Sequence, residues 1–141
     1  MALTVRPYEP ADRAGCESIF RAVQRLIFPE YSHSPTEPED FEAVTAGEEL
    51  WVAEQGGPAI RGFVSIWRPD RFIHHLYVDP AFHRRGIGRA LLSQAVNQCQ
   101  GRAELKCGEA NRAAQSFYIE AGLRPAGWGW GSSGPWIRYH S

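Results

Sequence analysis

The run His83-Arg84-Arg85-Gly86-Ile87-Gly88-Arg89-Ala90 follows a strand-like stretch and opens onto the apolar pattern of a helix. A strand, a glycine turn and a helix start together form an anion trap. The first backbone N–H groups of a helix have no intrahelical acceptor, and the macrodipole places about half a positive charge there. Gly86 and Gly88 let backbone approach a phosphate without a side chain in the way, and Arg84, Arg85 and Arg89 add the charge a diphosphate recruits. Spacing excludes two common phosphate loops. Gly88 is followed by Arg89-Ala90 rather than Lys-Ser/Thr, and the third position of a dinucleotide fingerprint is Leu91.

Two further groups carry chemistry. Asn111 and Tyr118 are seven residues apart in a helical stretch, about two turns, which places them on nearly the same face. In Phe72-Ile73-His74-His75-Leu76-Tyr77-Val78 successive side chains of a strand alternate faces. His74 is therefore expected to share a face with Leu76 and Val78, and His75 to point the opposite way, so that one cleft cannot receive both. An imidazole with an ordinary pKa near 6.5 can serve as a base at neutral pH.

The elements that must hold these residues are legible as periodicities. Period-two patterns predict strands at 3–6, 50–55, 60–67, 72–78, 103–107, 123–130 and 135–140, the second to fourth joined by short turns as an antiparallel meander. Apolar residues at helical spacing predict helices over 14–28, 41–46, 86–100 and 111–121, with Gly101 and Gly122 as stops. The expected fold is a single α/β (α+β) domain over residues 1–141, with a mixed sheet of six to seven strands flanked by about four helices.

Lys and Arg number 15 against 16 Asp and Glu, a net charge of -1, so the charge balance suggests neither a nucleic-acid nor an anionic-membrane partner. At 141 residues a folded domain buries about 68–70% of its unfolded surface and requires no disulfide or metal staple. Cys16, Cys99 and Cys107 form no metal-binding spacing and read as buried thiols of a reducing compartment, so no metal is expected. The opening Met-Ala-Leu-Thr-Val-Arg has no apolar core, and no run approaches the ~18 apolar residues of a membrane span. A cytoplasmic location follows as an expectation.

Taken together, VDPAFHRRGIGRALL and EANRAAQSFYIEAGL resemble the GNAT superfamily, the general-control-related N-acetyltransferases. The first is similar to the family's [QR]-x-x-G-x-[GA] segment, with His83, whose imidazole can still donate to the cofactor phosphate, where Gln or Arg is usual; the second is similar to its N-x-x-A-x-x-F-Y helix. The resemblance extends over the chain by order of elements and implies a sheet splayed at an acetyl-CoA cleft. Acetyl-CoA is the implied co-substrate, its pyrophosphate held by N–H groups from Arg84 through Ala90, including Ile87. It implies backbone contacts to pantetheine and the thioester carbonyl from Leu76, Tyr77 and Val78. Asn111 would fix the cofactor arm, and Tyr118 would be the general acid. His74 resembles in position a base used within the family.

The implied reaction is acetyl transfer to a primary amine, of a small molecule or a peptide, by direct attack through a tetrahedral intermediate. The alternative is an acyl-CoA sensor without turnover; the assembly expected is a monomer or homodimer. Phe28, Tyr31, Trp128, Trp130 and Trp136 are expected to wall the acceptor side, with the acidic run from Glu37 to Glu49 attracting a cation.

Overall fold

The computed structural model describes residues 2–27, 40–132 and 134–141. Strand β1 (Leu3–Pro7) is followed by α1 (Arg13–Ile27), α2 (Phe41–Thr45), β2 (Glu49–Gln55), β3 (Ile60–Trp67) and β4 (Phe72–Val78). Then come α3 (Ile87–Gln98), β5 (Glu104–Gly108), α4 (Arg112–Glu120), β6 (Arg124–Gly131) and β7 (Gly134–His140). The strands form one mixed sheet in the order β1-β2-β3-β4-β5-β7-β6. All neighbours are antiparallel except β4 and β5, which run parallel. The predicted meander is therefore present, and each predicted helix and strand is found with its described ends no more than two residues from those expected.

Each face of the sheet buries its own core. On one, Ile87, Leu91, Leu92 and Ala95 of α3 pack with Ala53, Val64, Ile66 and Ile73. On the other, Cys16, Ile19 and Phe20 of α1 and Phe41 of α2 pack with Val52 and Phe63. Neighbouring residues of the same strand go to opposite cores, Val52 and Ala53 on β2, Phe63 and Val64 on β3, as the pleat requires. α3 lies close because Gly62 of β3 faces it. A Cβ at that position would stand 2.9 Å from Leu91 Cδ1 and 3.0 Å from the Tyr77 carbonyl oxygen, so a side chain there would push the helix off the sheet.

The start of α1 is tied to the sheet by charge. Arg6 of β1 donates from Nη1 and Nη2 to the two carboxylate oxygens of Asp12, both at 2.8 Å, and from Nε to Glu54 at 2.9 Å. Asp12 also accepts the Glu9 backbone N–H at 2.8 Å. The Arg6 hydrogen bonds hold the Asp12 carboxyl below its ordinary value despite its burial. A carboxyl with a depressed pKa binds its proton more tightly in the unfolded chain, so its contribution is complete above the unfolded value near 3.9 and fades as pH falls below it. Asp12→Asn is expected to lower unfolding stability by about 2 kcal/mol at neutral pH, as for a hydrogen bond to a charged group. Denaturant unfolding across pH checks this: the gap between the two proteins should narrow below about pH 4, and a gap independent of pH contradicts the assignment.

Candidate active site

β4 and β5 share a single registered pair, Phe72 opposite Glu104, next to which the Glu104 N–H donates to the Arg71 carbonyl at 2.9 Å. Beyond that point β4 stays paired with β3 as far as Val78, and β5 stays paired with β7 as far as Gly108. A gap thus opens between two parallel strands, each presenting a backbone edge to it. The physical cause lies in β4. Ser65 pairs with His75 but Ile66 pairs with Ile73, so His74 has no partner on β3 and is the extra residue of a β-bulge. A bulge bends its strand and increases the local twist, here just where β4 parts from β5.

The bulge overturns the expectation that His74 and His75 face opposite ways. The inserted residue resets the alternation. Ile73, Leu76 and Val78 join the core under α3, whereas His75 and Tyr77 lie against Phe20 and Phe63 on the α1 side. His74 goes with His75, their ring centroids 4.0 Å apart, and does not share the face of Leu76 and Val78.

The two imidazoles have different surroundings. His75 is buried, its Nδ1 hydrogen-bonded to the buried Ser65 Oγ at 2.9 Å. Burial, and then the neighbouring His74, push its pKa down to about 3, so it is neutral. His74 is exposed and donates from Nδ1 to Glu48 Oε2 at 2.8 Å. Beside them the Tyr77 hydroxyl accepts from Gln24 Nε2 at 2.7 Å, and burial pushes that phenol up to about 12.

At the far end of β4 the chain turns through Arg84 (φ 63°) and Gly86 (φ 83°), both left-handed, into α3. Gly86 is the N-cap and no side chain caps the helix. The first turn-closing bond is Ala90 N–H to the Gly86 carbonyl at 3.0 Å, so the N–H groups of Gly86, Ile87, Gly88 and Arg89 have no intrahelical acceptor. Arg84, Arg85 and Arg89 are exposed around them, with the Arg85 guanidinium 4.7 Å from the Phe82 ring centre. His83, also exposed, donates from Nε2 to the Val78 carbonyl at 3.2 Å; it would have to release that bond to reach an anion.

α4 closes the gap from the α3 side. A Cβ on Gly88 would lie 3.4 Å from Phe117 Cζ and 3.5 Å from Val78 Cγ2, so β4, α3 and α4 meet there. The next residue, Tyr118, packs its ring 5.8 Å from that of Tyr139 on β7. Its phenol is pushed above the ordinary tyrosine value, by burial first and then by Cys107 on β5, Tyr77 on β4 and Tyr139. Asn111 lies just before the helix rather than in it, and its Oδ1 accepts the Ala114 N–H at 3.1 Å as the N-cap.

The residues expected to wall the acceptor side are only partly among those described. Phe28, Tyr31 and Glu37 lie outside the described residues. Trp128 and Trp130 are the most exposed large apolar residues described, and Trp136 lies over Gly129 with Lys106 Nζ 4.4 Å from its ring. Much of the acidic run is engaged within the protein. Glu42 pairs with Arg13, and Glu49 binds Arg68, Trp51 and Gln98. Sequence reasoning did not single out Glu48, Ser65 or Gln24, whose significance depends on contacts across strands and helices with no fixed spacing.

Residues 16–123 match the model of the acetyltransferase (GNAT) family. A peptidyl-lysine N-acetyltransferase of Escherichia coli, YiaC, is 36% identical over 89 residues, which are 63% of this chain and 59% of that protein. The solution structure of apo YjaB from Escherichia coli superposes with a TM-score of 0.78 at 18% identity, over 99% of this chain and 97% of the other. A Bacillus anthracis protein assigned as a streptothricin acetyltransferase, solved in complex with acetyl coenzyme A, superposes with a TM-score of 0.72 at 17% identity, over 99% of each chain. With the family model matching most of its length, the chain belongs to the GNAT family of acetyltransferases.

Proposed function

We propose that the protein is an N-acetyltransferase, a single domain that moves the acetyl group of acetyl-CoA to a primary amine. The observation that carries this is the convergence of three features: the edges of β4 and β5 that part after one pair, the uncapped start of α3 where β4 ends, and α4, whose Phe117 reaches Gly88 and Val78 while the next residue, Tyr118, packs on Tyr139 of β7. A chain of amides laid along β4 would find the backbone donors and acceptors that β5 does not satisfy, as an added strand does. The diphosphate would then meet Gly86, Ile87, Gly88 and Arg89. The acetyl-CoA held by the Bacillus anthracis relative supports this ligand, and the name of YiaC supports a peptide lysine as the first acceptor to try.

In the proposed reaction the neutral amine attacks the thioester carbon. A C–N bond forms, the carbonyl oxygen takes negative charge facing a backbone N–H of the segment from Leu76 to Val78, and the C–S bond then breaks. The leaving thiolate needs a proton. Burial pushes the Cys107 thiol of β5 up to about 11, so a thiolate left unprotonated in such surroundings would be costly. Tyr118, protonated at neutral pH, donates to it. The amine proton goes to His74, directly or through one water, while Glu48 fixes the ring through Nδ1. Asn111 supports the site as the cap that starts α4.

The cellular setting proposed is the cytoplasm, with the enzyme a monomer or homodimer. The three cysteines are free and buried, as suits a reducing compartment, and no described helix is long and apolar enough to cross a membrane.

The reading is tested by incubating protein and acetyl-CoA with small amines and lysine peptides and titrating free CoA. Release that depends on one amine supports it; tight acetyl-CoA binding without release from any amine favours a sensor. Tyr118→Phe is expected to lower kcat by about 10²–10⁴-fold with acetyl-CoA affinity nearly unchanged, the signature of a lost proton donor. Equal turnover would make Tyr118 a packing residue. His74→Gln is expected to lower kcat by a similar ~10²–10⁴-fold with KM for acetyl-CoA intact, and unaltered kcat would place the base elsewhere.

A further inference from the structure

The bulge that sets His74 beside His75 also brings both to Glu48, in the turn between α2 and β2. One ligand atom from each of the three residues lies within 4.8 Å of the other two. The Glu48 side chain is only 7% exposed. Its Oε2 accepts from His74, but its Oε1 is buried and has no partner among the described residues. A buried carboxylate oxygen without a hydrogen bond is costly and calls for a physical reason.

The imidazoles supply one. Ser65 Oγ occupies His75 Nδ1; when that nitrogen donates, Nε2 carries the lone pair. Metal-ligating histidines have this arrangement, one ring nitrogen fixed by a partner that sets tautomer and orientation and the other free to coordinate. The His75 ring is fixed further by Phe20, Phe63 and Tyr77, whose ring centres lie 5.4–6.5 Å from its own. His74, exposed, has room to adjust, and solvent on its side leaves space for a further ligand. Two histidines and one carboxylate with an open position form a set that zinc-class divalent ions accept, at about 2.0–2.2 Å from each ligand atom. That geometry separates ligand atoms by about 3.3–3.6 Å, so only a modest side-chain movement from the hydrogen-bonded arrangement is needed. An ammonium group could neutralise Glu48 but would leave the His75 lone pair unused.

We propose that Glu48, His74 and His75 form a binding site for one divalent transition-metal ion of the zinc class, with Ser65 as the outer partner of His75. The ion replaces the proton between His74 and Glu48 and satisfies the free oxygen of Glu48. A coordinated His74 cannot accept a proton, so metal occupancy and the role of base proposed above are exclusive states of one side chain.

The test uses the full chain, freed of metal by chelation and titrated with cobalt(II) and then zinc(II), without acetyl-CoA or amine. The outcome is therefore independent of acetyl transfer. Expected is a visible cobalt d–d spectrum of nitrogen and oxygen ligation that saturates at one equivalent and is displaced by zinc. Glu48→Gln and His74→Gln, each with unchanged circular dichroism and melting, are expected to weaken cobalt binding by more than about 100-fold, beyond the ~10–100-fold that loss of an outer partner such as Ser65 causes. A saturating spectrum unaltered in both variants, a thiolate charge-transfer band indicating the cysteines, or no uptake at metal concentrations comparable to the protein's would each overturn the site.

Discussion

One extra residue in β4 governs the arrangement of this protein. A sheet in which β4 and β5 paired along their length would bury both edges and leave no gap. His74 interrupts the ladder with β3, and the strand bends immediately after its one paired contact with β5. Bulges are common where a sheet must re-aim a side chain or stop pairing, and this one does both. It leaves β4 and β5 unpaired with each other beyond Phe72 and Glu104 and swings His74 onto the face of His75. The gap, the imidazole pair and the contact with Glu48 are consequences of one local insertion.

A gap of this kind has to be held open, and the packing on each side does so. Gly62 lets α3 lie against β3 and β4, which fixes where its uncapped N-terminus points. On the opposite face Phe20 of α1 packs against His75 and Tyr77, so the strand past the bulge is gripped from both sides. α4 reaches over to Gly88 and Val78 through Phe117, and the next residue, Tyr118, packs on Tyr139 of β7. The rigidity belongs to the two cores, whereas β4 and β5 are paired with each other only at Phe72 and Glu104.

Much of this was legible in the sequence. The meander, the four helices and the glycine turn into α3 follow from periodicity and punctuation, because local pattern and tertiary burial agree there. The bulge was not. A bulge adds one residue to one strand and is defined by the partner strand, so Phe72 to Val78 read as uninterrupted alternation and put His74 with the wrong neighbours. Asn111 illustrates the same limit at a helix end: seven-residue spacing from Tyr118 suggested a shared face, but the residue is the cap and its oxygen is already engaged. Glu48 looked like one more member of an acidic run. What distinguishes it is burial and the approach of two histidines from another strand, neither of which leaves a mark in local spacing.

The central claim, that the opening between β4 and β5 is the place where acetyl-CoA lies, is tested most directly by amide hydrogen exchange with and without acetyl-CoA. The account predicts that exchange slows at Gly86, Ile87, Gly88 and Arg89 and along β4 from His75 to Val78, while β1 and β2 are unchanged. Protection at these two segments together requires a ligand that touches both the helix start and the strand edge. Protection confined to another surface, or none at saturating acetyl-CoA, would contradict it.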